Sequence, residues 1–429
     1  MDNFSRRIKD GLLKLPLITW VLLGFFITFL SFFILPIFLN PSQEMQFNRY
    51  VLVVSPIGYD FKAIVSFSSA WIHSGELVPI VYPSFTLIFF APFTLFESET
   101  GYKLVVFISL LCYVFITLVL PQWINHSKGI SPLAMLLFVT GLLSYGLQFE
   151  LERGQWNVIA FTFSLLAVYL FHDHPRLRWL SYVFFTIAVQ LKLYPAIFVF
   201  VLVEDGSDWK NNIKRFVGLG LVNLLALFMF GVSPVLNTFN YMVQSEASHV
   251  GRPFNLSISS FVLQILSLRF LPHKRIILWL QANPWLPQFI LLAIFGVCFV
   301  IILRRAYKKD SKGLNPIVFL ACTIGACLVP ALSFDYKLAF LPASVILLFP
   351  ILPSFEQGGK RFSIIFITFL FSLAYSSMLY SYTDKPEILQ YNLPALFVLL
   401  MICVVLAYVR WDGMGVGDLG VPEVDSNSQ

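Results

Sequence analysis

Runs of about 20 apolar residues, separated by short polar segments, recur along the whole 429-residue chain. Each run is long enough to cross the hydrocarbon core of a bilayer as a helix. The pattern therefore predicts an all-α, polytopic integral membrane protein. The predicted spans are residues 16–38, 103–122, 131–147, 155–171, 179–192, 193–203, 214–232, 286–304, 315–330, 336–352, 362–381 and 391–410.

Two segments leave the topology open. Residues 179–192 and 193–203 are short, and they form either a broken hairpin or one helix kinked at Pro195. Residues 80–95 either cross the membrane or lie in its interface. Basic loop residues collect on the cytoplasmic side of membrane proteins, and this rule favours the hairpin together with a flat 80–95 segment. Both termini are then cytoplasmic, and the long first external loop, 39–102, carries interfacial helices.

The apolar pattern predicts one transmembrane domain over residues 1–410, a bundle of about 11–13 helices. Its catalytic module covers about residues 16–285, and the C-terminal helices follow over 286–410. The polar tail, 411–429, is predicted to be disordered and cytoplasmic.

Charge and cysteine content narrow the class of protein. Only 12% of residues are charged, and the net charge is +6. The Lys and Arg residues lie in short clusters between the spans, which is the usual position of residues that determine membrane topology. Nucleic acid is therefore not a predicted partner. The five cysteines lie inside apolar runs and are interpreted as packing residues. The chain contains no phosphate loop of the NTPase type, which argues against a nucleotide-driven pump.

The first candidate for chemistry is Asp60, a carboxylate just after the first span. Ionisable residues near the bilayer are costly to desolvate and often functional, so Asp60 is the candidate general base. The alternative is a loop acid that caps a helix or pairs with Lys62. Tyr82 and His73 follow as candidate sugar or acceptor contacts, although for His73 the favoured interpretation is an interfacial histidine that makes an ordinary hydrogen bond.

A second cluster runs from Glu150 to Asn157 between two apolar runs. Arg153 is a candidate two-pronged phosphate ligand. The candidate sugar or acceptor contacts are Glu150, Glu152, Gln155 and Asn157. The alternative is a polar turn whose acids neutralise Arg153. Two carboxylates are too few to predict a divalent cation, so no metal and no cofactor are predicted.

Three further motifs carry polar residues at the ends of apolar runs. Lys192 and Arg252 are candidate phosphate ligands; the alternatives are a lysine extending to the membrane interface and a solvated loop arginine. Asp335, Tyr336 and Lys337 are candidate sugar or acceptor contacts, with an Asp335–Lys337 pair at the membrane boundary as the alternative.

Together these motifs resemble the GT-C glycosyltransferases, and most closely glycosyltransferase family 87. The matching residues are Asp60, Tyr82-Pro83, Arg153-Gly154-Gln155 with Asn157, Lys192-Leu193-Tyr194-Pro195, and Ser333 with Asp335-Tyr336 and Leu338. Leu193-Tyr194-Pro195 departs from the more usual small or Thr-containing step after the lysine. The resemblance implies a polytopic enzyme that takes sugars from polyprenyl-phosphate donors, with Asp60 as base. Glu150 and Glu152 match the position of a second acidic motif in the wider superfamily.

The expected function is transfer of a hexose, with mannose favoured, from a polyprenyl-phosphate sugar to a hydroxyl of a lipid-linked or cell-envelope glycan acceptor. One base without a covalent intermediate implies inversion, whereas a glycosidase needs two carboxylates across one bond. The expected location is the cell inner or plasma membrane, with membrane lipids around the chain and the active site on the external (periplasmic) face. The alternatives are a transporter or lipid flippase, and an O-antigen polymerase or ligase.

Overall fold

The computed structural model describes residues 58–75, 77–78, 80–126, 132–142, 144–249, 255–266, 275–307, 313–348 and 392–413. Within these ranges every named element is a helix, and one isolated antiparallel bridge joins Asn255 to Phe334. The prediction of an all-α protein is confirmed.

The α-helices are numbered here in chain order. They are α1 Tyr59–Ser74, α2 Phe85–Phe90, α3 Ser98–Val114, α4 Leu120–Ile124, α5 Pro132–Leu142, α6 Tyr145–Arg153, α7 Asn157–Asp173, α8 Arg178–Leu191, α9 Trp209–Leu227, α10 Val232–His249, α11 Ile258–Leu266, α12 Arg275–Ala282, α13 Trp285–Ala306, α14 Pro316–Leu328, α15 Leu341–Ile346 and α16 Asn392–Gly413. Short 3-10 helices lie at Ala91–Leu95, Pro175–Leu177, Tyr194–Val201 and Asp335–Phe340, and a π-helical turn at Phe115–Val119 joins α3 to α4.

Two stretches among the described residues, Ser98–Ile124 and Trp285–Ala306, are long and apolar enough to cross a membrane. Two bent pairs qualify if each is one span: α6 with α7, bent by 112°, and α9 with α10, bent by 96°. The predicted spans 16–38 and 362–381 lie outside the described residues. The apolar helices confirm a membrane protein, while the total of about 11–13 spans stays a prediction.

One predicted span, 131–147, is wrong beyond Leu142. Helix α5 ends there, and α6 begins after Ser144, whose hydroxyl accepts a hydrogen bond from the amide of Leu147 at 3.3 Å. A serine in this position satisfies a free amide at the start of a helix, so the chain can start a new helix inside an apolar run. Hydrophobicity alone does not register this break.

The short segments around Pro195 form a broken hairpin, as the favoured alternative predicted. At the far end of the hairpin the two arms meet again, because Arg178 at the start of α8 pairs with Glu204 beyond the second arm at 2.8 Å. The second arm also contacts α7, where His172 Nε2 lies 2.9 Å from the carbonyl of Val201. At the apex the backbone of Lys192 is extended (φ −151°, ψ 139°), which ends α8 and reverses the chain.

Residues 80–95 contain only two short helical pieces, of six and five residues. Together they measure roughly 19 Å, well under the roughly 30 Å of a bilayer core. This length is consistent with the interfacial alternative. The first long loop therefore carries helices, α1 among them, as predicted.

The described core has two parts that meet beside the polar cluster at 150–157. The larger surrounds α7 and includes a stacked pair, Phe161 and Phe340, with ring centroids 4.6 Å apart. The smaller lies under α1 and α2 and includes Phe61 and Trp156. Because Trp156 belongs to one core and Val158 to the other, the residues beside them are held at the junction.

The C-terminal part of the chain contributes to this junction. The 3-10 helix Asp335–Phe340 packs against α6, with the rings of Tyr336 and Phe149 5.6 Å apart. The predicted tail begins within α16, which ends at Gly413; residues 414–429 lie outside the described part.

Candidate active site

Two glycine turns bring the first loop against the α6–α7 bend. Gly58 precedes α1 and Gly154 follows α6, both with left-handed backbone (φ 75° and 63°), and the Gly58 amide donates to the carbonyl of Glu152 at 2.7 Å. A Cβ on Gly58 would lie 2.7 Å from the ring of Tyr102, and one on Gly154 would lie 2.6 Å from Cβ of Phe61. Only glycine fits both the backbone conformation and the close approach.

This contact places Asp60, in the first turn of α1, against the residues that follow α6. Its carboxylate accepts hydrogen bonds from Arg153 Nε and Nη2 at 2.6 and 2.7 Å and from Gln155 Nε2 at 2.6 Å. Gly58 is the N-cap of α1 and no side chain caps it, so Asp60 is not a helix cap. Its ion-pair partner is Arg153 and not Lys62.

Gln155 joins the carboxylate to a lysine. Its amide nitrogen donates to Asp60, while its amide oxygen accepts from Lys192 Nζ at 2.7 Å. The same nitrogen lies 3.3 Å from the hydroxyl of Tyr82. Burial, followed by the nearby charge of Asp60, raises the pKa of Tyr82, so its phenol stays protonated and keeps a proton to donate.

Lys192 is 6% exposed and lies over two aromatic rings, with Nζ 4.0 Å from the Tyr82 centroid and 4.3 Å from the Trp156 centroid. Trp156 Nε1 donates to the carbonyl of Leu191 at 3.1 Å, which holds the end of α8 in place. The ammonium group thus lies inside the protein, which does not favour the alternative of a lysine that extends to the membrane interface. A cation over aromatic faces is stabilised without a neutralising carboxylate.

Glu150 supports the backbone of the site. It is fully buried, and its two oxygens accept from the Val158 amide at 3.0 Å and from Asn157 Nδ2 at 2.8 Å. It therefore caps α7 with a carboxylate, where the helix dipole favours negative charge. Glu152 is also buried, and its carbonyl receives Gly58. Within the described residues Arg153 forms its ion pair with Asp60, not with these two acids.

A cavity of about 520 Å³ opens beside Lys192. The site residues that line it are Tyr82, Asn157, Lys192, Tyr336 and Lys337; apolar residues of α14 and of the segment 329–334 form much of the remaining wall. Its two charged lining residues are both lysines, and no carboxylate among the described residues lines it. Asp60 is not among the lining residues; it connects to Lys192 through Gln155, and 13% of its side chain is exposed.

Of the predicted C-terminal motif Asp335-Tyr336-Lys337, two residues line the cavity and Asp335 does not. Tyr336 and Lys337 line it, and Lys337 Nζ donates to the carbonyl of Ala326 at 3.0 Å. Asp335 is fully buried, and neither carboxylate oxygen has a hydrogen-bond partner among the described residues. Burial raises its pKa well above the ordinary value. Among the described residues, Asp335 and Lys337 do not form the salt bridge that the alternative interpretation predicted.

Two predicted residues are not in this cluster. His73 is exposed near the end of α1, with Nδ1 2.8 Å from the carbonyl of Ser69. Thirteen residues separate it from Asp60 along α1, about 20 Å of helix. Arg252 lies outside the described residues.

Sequence reasoning gave no role to Trp156 or Tyr194, although both stood inside the quoted motifs. Trp156 is fully buried under Lys192, and the Tyr194 hydroxyl donates to the carbonyl of Asn157 at 2.7 Å. The signal in the sequence was an aromatic residue within two positions of a polar site residue: Trp156 beside Gln155, and Tyr194 two residues after Lys192. No group of three metal-ligating side chains is found in the part of the chain that the structure describes.

The comparisons with known proteins bear on this geometry. No curated protein matches the chain. The model of glycosyltransferase family 87 matches residues 81–331, more than half of the chain. That range includes Tyr82, the 150–157 cluster and Lys192, while Asp60 and Lys337 lie outside it. The chain thus belongs to glycosyltransferase family 87 and is a membrane glycosyltransferase.

Proposed function

We propose that this protein transfers a hexose, with mannose favoured, from a polyprenyl-phosphate donor to a hydroxyl of a lipid-linked or cell-envelope glycan, with inversion at the sugar carbon. The observation that carries the proposal is the Asp60–Gln155–Lys192 connection, at 2.6 and 2.7 Å, beside a cavity of about 520 Å³. It sets a carboxylate and a cation at one site, and inverting transfer from a phosphate donor requires both.

The cation serves the leaving group. A sugar on a polyprenyl phosphate already has a good leaving group, so it needs fixed positive charge more than it needs an acid to protonate it. Lys192 supplies this charge from the cavity wall. Arg153 was another candidate for this role, but two of its N–H groups are used on Asp60, so in this proposal it positions the carboxylate instead.

The carboxylate serves the acceptor. As the acceptor oxygen forms its bond to the sugar carbon, its proton passes to Asp60, and the bond to the phosphate oxygen breaks with both electrons leaving on the phosphate. A base of this kind contributes about 10²–10⁴-fold to the rate. A retaining reaction needs a second carboxylate as nucleophile. Glu150 does not suit that role because it is fully buried, whereas the Asp60 side chain keeps 13% of its surface exposed.

In this proposal the polar and aromatic residues that line the cavity bind the sugar. Asn157 faces this cavity, and its Oδ1 has no hydrogen-bond partner among the described residues, so it is suited to accept from a sugar hydroxyl. Tyr82 and Tyr336 add ring faces and hydroxyls. Asp335 is not part of the lining, so in this proposal it acts within the fold and not on the sugar.

The proposed site faces the external (periplasmic) side of the cell inner or plasma membrane. Support comes from α8, whose C-terminal end carries Lys192 while its N-terminal end carries Arg178 near Arg215. Basic residues mark the cytoplasmic side, so the opposite end of α8, with the site, is external.

The test is donor turnover by purified protein. Polyprenyl-phosphate mannose, glucose and galactose are offered with a membrane glycolipid extract as acceptor, and release of polyprenyl phosphate is measured. Release with the mannose donor supports the proposal. Release only from a polyprenyl-diphosphate oligosaccharide would favour the polymerase or ligase alternative, and release from none of these donors would overturn the proposed polyprenyl-phosphate sugar as donor.

A further inference from the structure

We propose that Lys192 and Lys337 together bind the donor's phosphate group, one from the α8 apex and one from the C-terminal half of the chain. The inference rests on the proposed function for the identity of the donor, but the anion site itself rests on geometry. Both lysines line the same 520 Å³ cavity, and they are 6% and 5% exposed.

Lys337 keeps donors for a ligand. Among the described residues its Nζ donates to one protein oxygen, the carbonyl of Ala326, and lies 5.1 Å from the ring centroid of Tyr194. An ammonium has three N–H donors, so two remain for a bound group. Lys192 is in the same position, with Gln155 Oε1 as its hydrogen-bond acceptor and aromatic rings beneath it.

Neither lysine forms a salt bridge within the described residues. Within the described residues no carboxylate lies within 4 Å of Lys192 or Lys337. Asp60 is occupied by Arg153, and Glu150 by the start of α7. Asp60 and Glu150 act on Lys192 from a greater distance. Two buried lysines that face one cavity without a salt-bridge partner are costly to keep charged unless an anion enters. Their arrangement therefore favours an anionic ligand over a neutral sugar alone.

Charge matching favours a phosphate whose charge increases during the reaction. The phosphate of a polyprenyl-phosphate sugar carries one negative charge, whereas the released monoester carries about 1.5–2 at neutral pH. Two lysines match the departing group better than the intact donor. Such differential binding stabilises the transition state, so Lys337 is expected to affect kcat as well as the KM for the donor.

The direct test measures binding of a soluble lipid phosphate. Titration calorimetry compares farnesyl phosphate, farnesol and inorganic phosphate on wild-type protein and on Lys192→Met, Lys337→Met, Lys337→Arg and Lys103→Met. Lys103 is the matched control because it is an exposed lysine paired with Glu99 at 2.7 Å, away from the cavity. Melting temperatures confirm that each variant is folded.

We expect Lys192→Met and Lys337→Met each to weaken farnesyl phosphate binding by at least about tenfold, the loss of one charged hydrogen bond. Farnesol binding should stay unchanged, Lys337→Arg should recover most of the affinity, and Lys103→Met should match wild type. Inorganic phosphate should compete with farnesyl phosphate through the same two lysines. Such competition would identify the phosphate group, and not the farnesyl chain, as the part of the ligand that is recognised.

Two outcomes separate this inference from the proposed function. If Lys337→Met binds farnesyl phosphate as wild type does, while wild-type protein still transfers sugar, the two-lysine site is overturned and the function stands. If both lysines are needed for phosphate binding but no polyprenyl-phosphate sugar is turned over, the site stands and the proposed donor is wrong.

Discussion

Arg153 donates two parallel hydrogen bonds to Asp60, from Nε to Oδ2 at 2.6 Å and from Nη2 to Oδ1 at 2.7 Å, across 93 residues of sequence. A bidentate pair fixes the plane and the direction of a carboxylate as well as its charge. Asp60 is therefore a positioned group, and the proposed base chemistry depends on that position.

Asp60→Asn is expected to lower kcat by about 10²–10⁴-fold because the amide cannot accept the acceptor proton. Donor binding should be largely unchanged, since the phosphate is held by lysines on the cavity wall. Single-turnover assays and titration with donor check the two effects separately. Wild-type turnover by the purified, folded variant would remove Asp60 as base.

Arg153→Lys tests whether the arginine positions Asp60 or binds phosphate. Lysine keeps the charge but has no planar fork for a bidentate contact. If Arg153 positions the carboxylate, kcat should fall about tenfold, the value of one charged hydrogen bond, while the donor KM changes less than about threefold. A tenfold rise in the donor KM with kcat unchanged would instead indicate that Arg153 binds the donor phosphate.

Gln155→Leu removes the amide that links Asp60 to Lys192. Each lost hydrogen bond to a charged group costs about 1.5–3 kcal/mol, so activity should fall at least about tenfold. Gln148→Leu is the matched control: this glutamine lies on α6 and donates to the carbonyl of Leu142 at 2.7 Å, outside the site. Equal losses in both variants would mean that the effect is structural and not specific to the link.

Gly154→Ala should destabilise the protein beyond the cost of its backbone conformation. Gly75 has a similar φ of 68°, and a Cβ added there would meet nothing within 4 Å, so Gly75→Ala carries backbone strain alone, about 1–3 kcal/mol. At Gly154 the contact with Phe61 adds to that strain. The melting temperature of Gly154→Ala in detergent should therefore be the lower of the two. Equal melting temperatures would show that the α6–α7 turn can relieve the contact with Phe61 without lowering the stability of the protein.

Asp335 gives a pH-dependent prediction. It lies between the predicted spans 315–330 and 336–352, and burial raises its pKa. Above about pH 4 and below the raised pKa, the folded protein binds more protons than the unfolded chain, so the free energy of unfolding falls as pH rises. Asp335→Asn cannot ionise. Its melting temperature should fall less than that of wild type between about pH 5 and pH 8. Parallel curves would show that Asp335 binds the same number of protons in the folded and the unfolded chain, so that its pKa is not raised by folding.

The sequence determined the elements that depend on local pattern. Apolar length predicted the helices, and the basic residues of the loops favoured the broken hairpin over one helix kinked at Pro195, because span length and loop charge are both local properties of the sequence. The order of short polar motifs was enough to indicate the family, which the match over residues 81–331 bears out.

The tertiary structure decided which polar groups meet. Arg153 was expected to hold a phosphate, but the close approach of Gly58 to Glu152 turns it towards Asp60, and Lys337 reaches the cavity because the 3-10 helix Asp335–Phe340 packs on α6. Partners 93 residues apart leave no local pattern in a chain, because a hydrogen bond depends on positions in space that packing sets. The sequence thus determined which residue types were available, and packing determined which of them formed pairs.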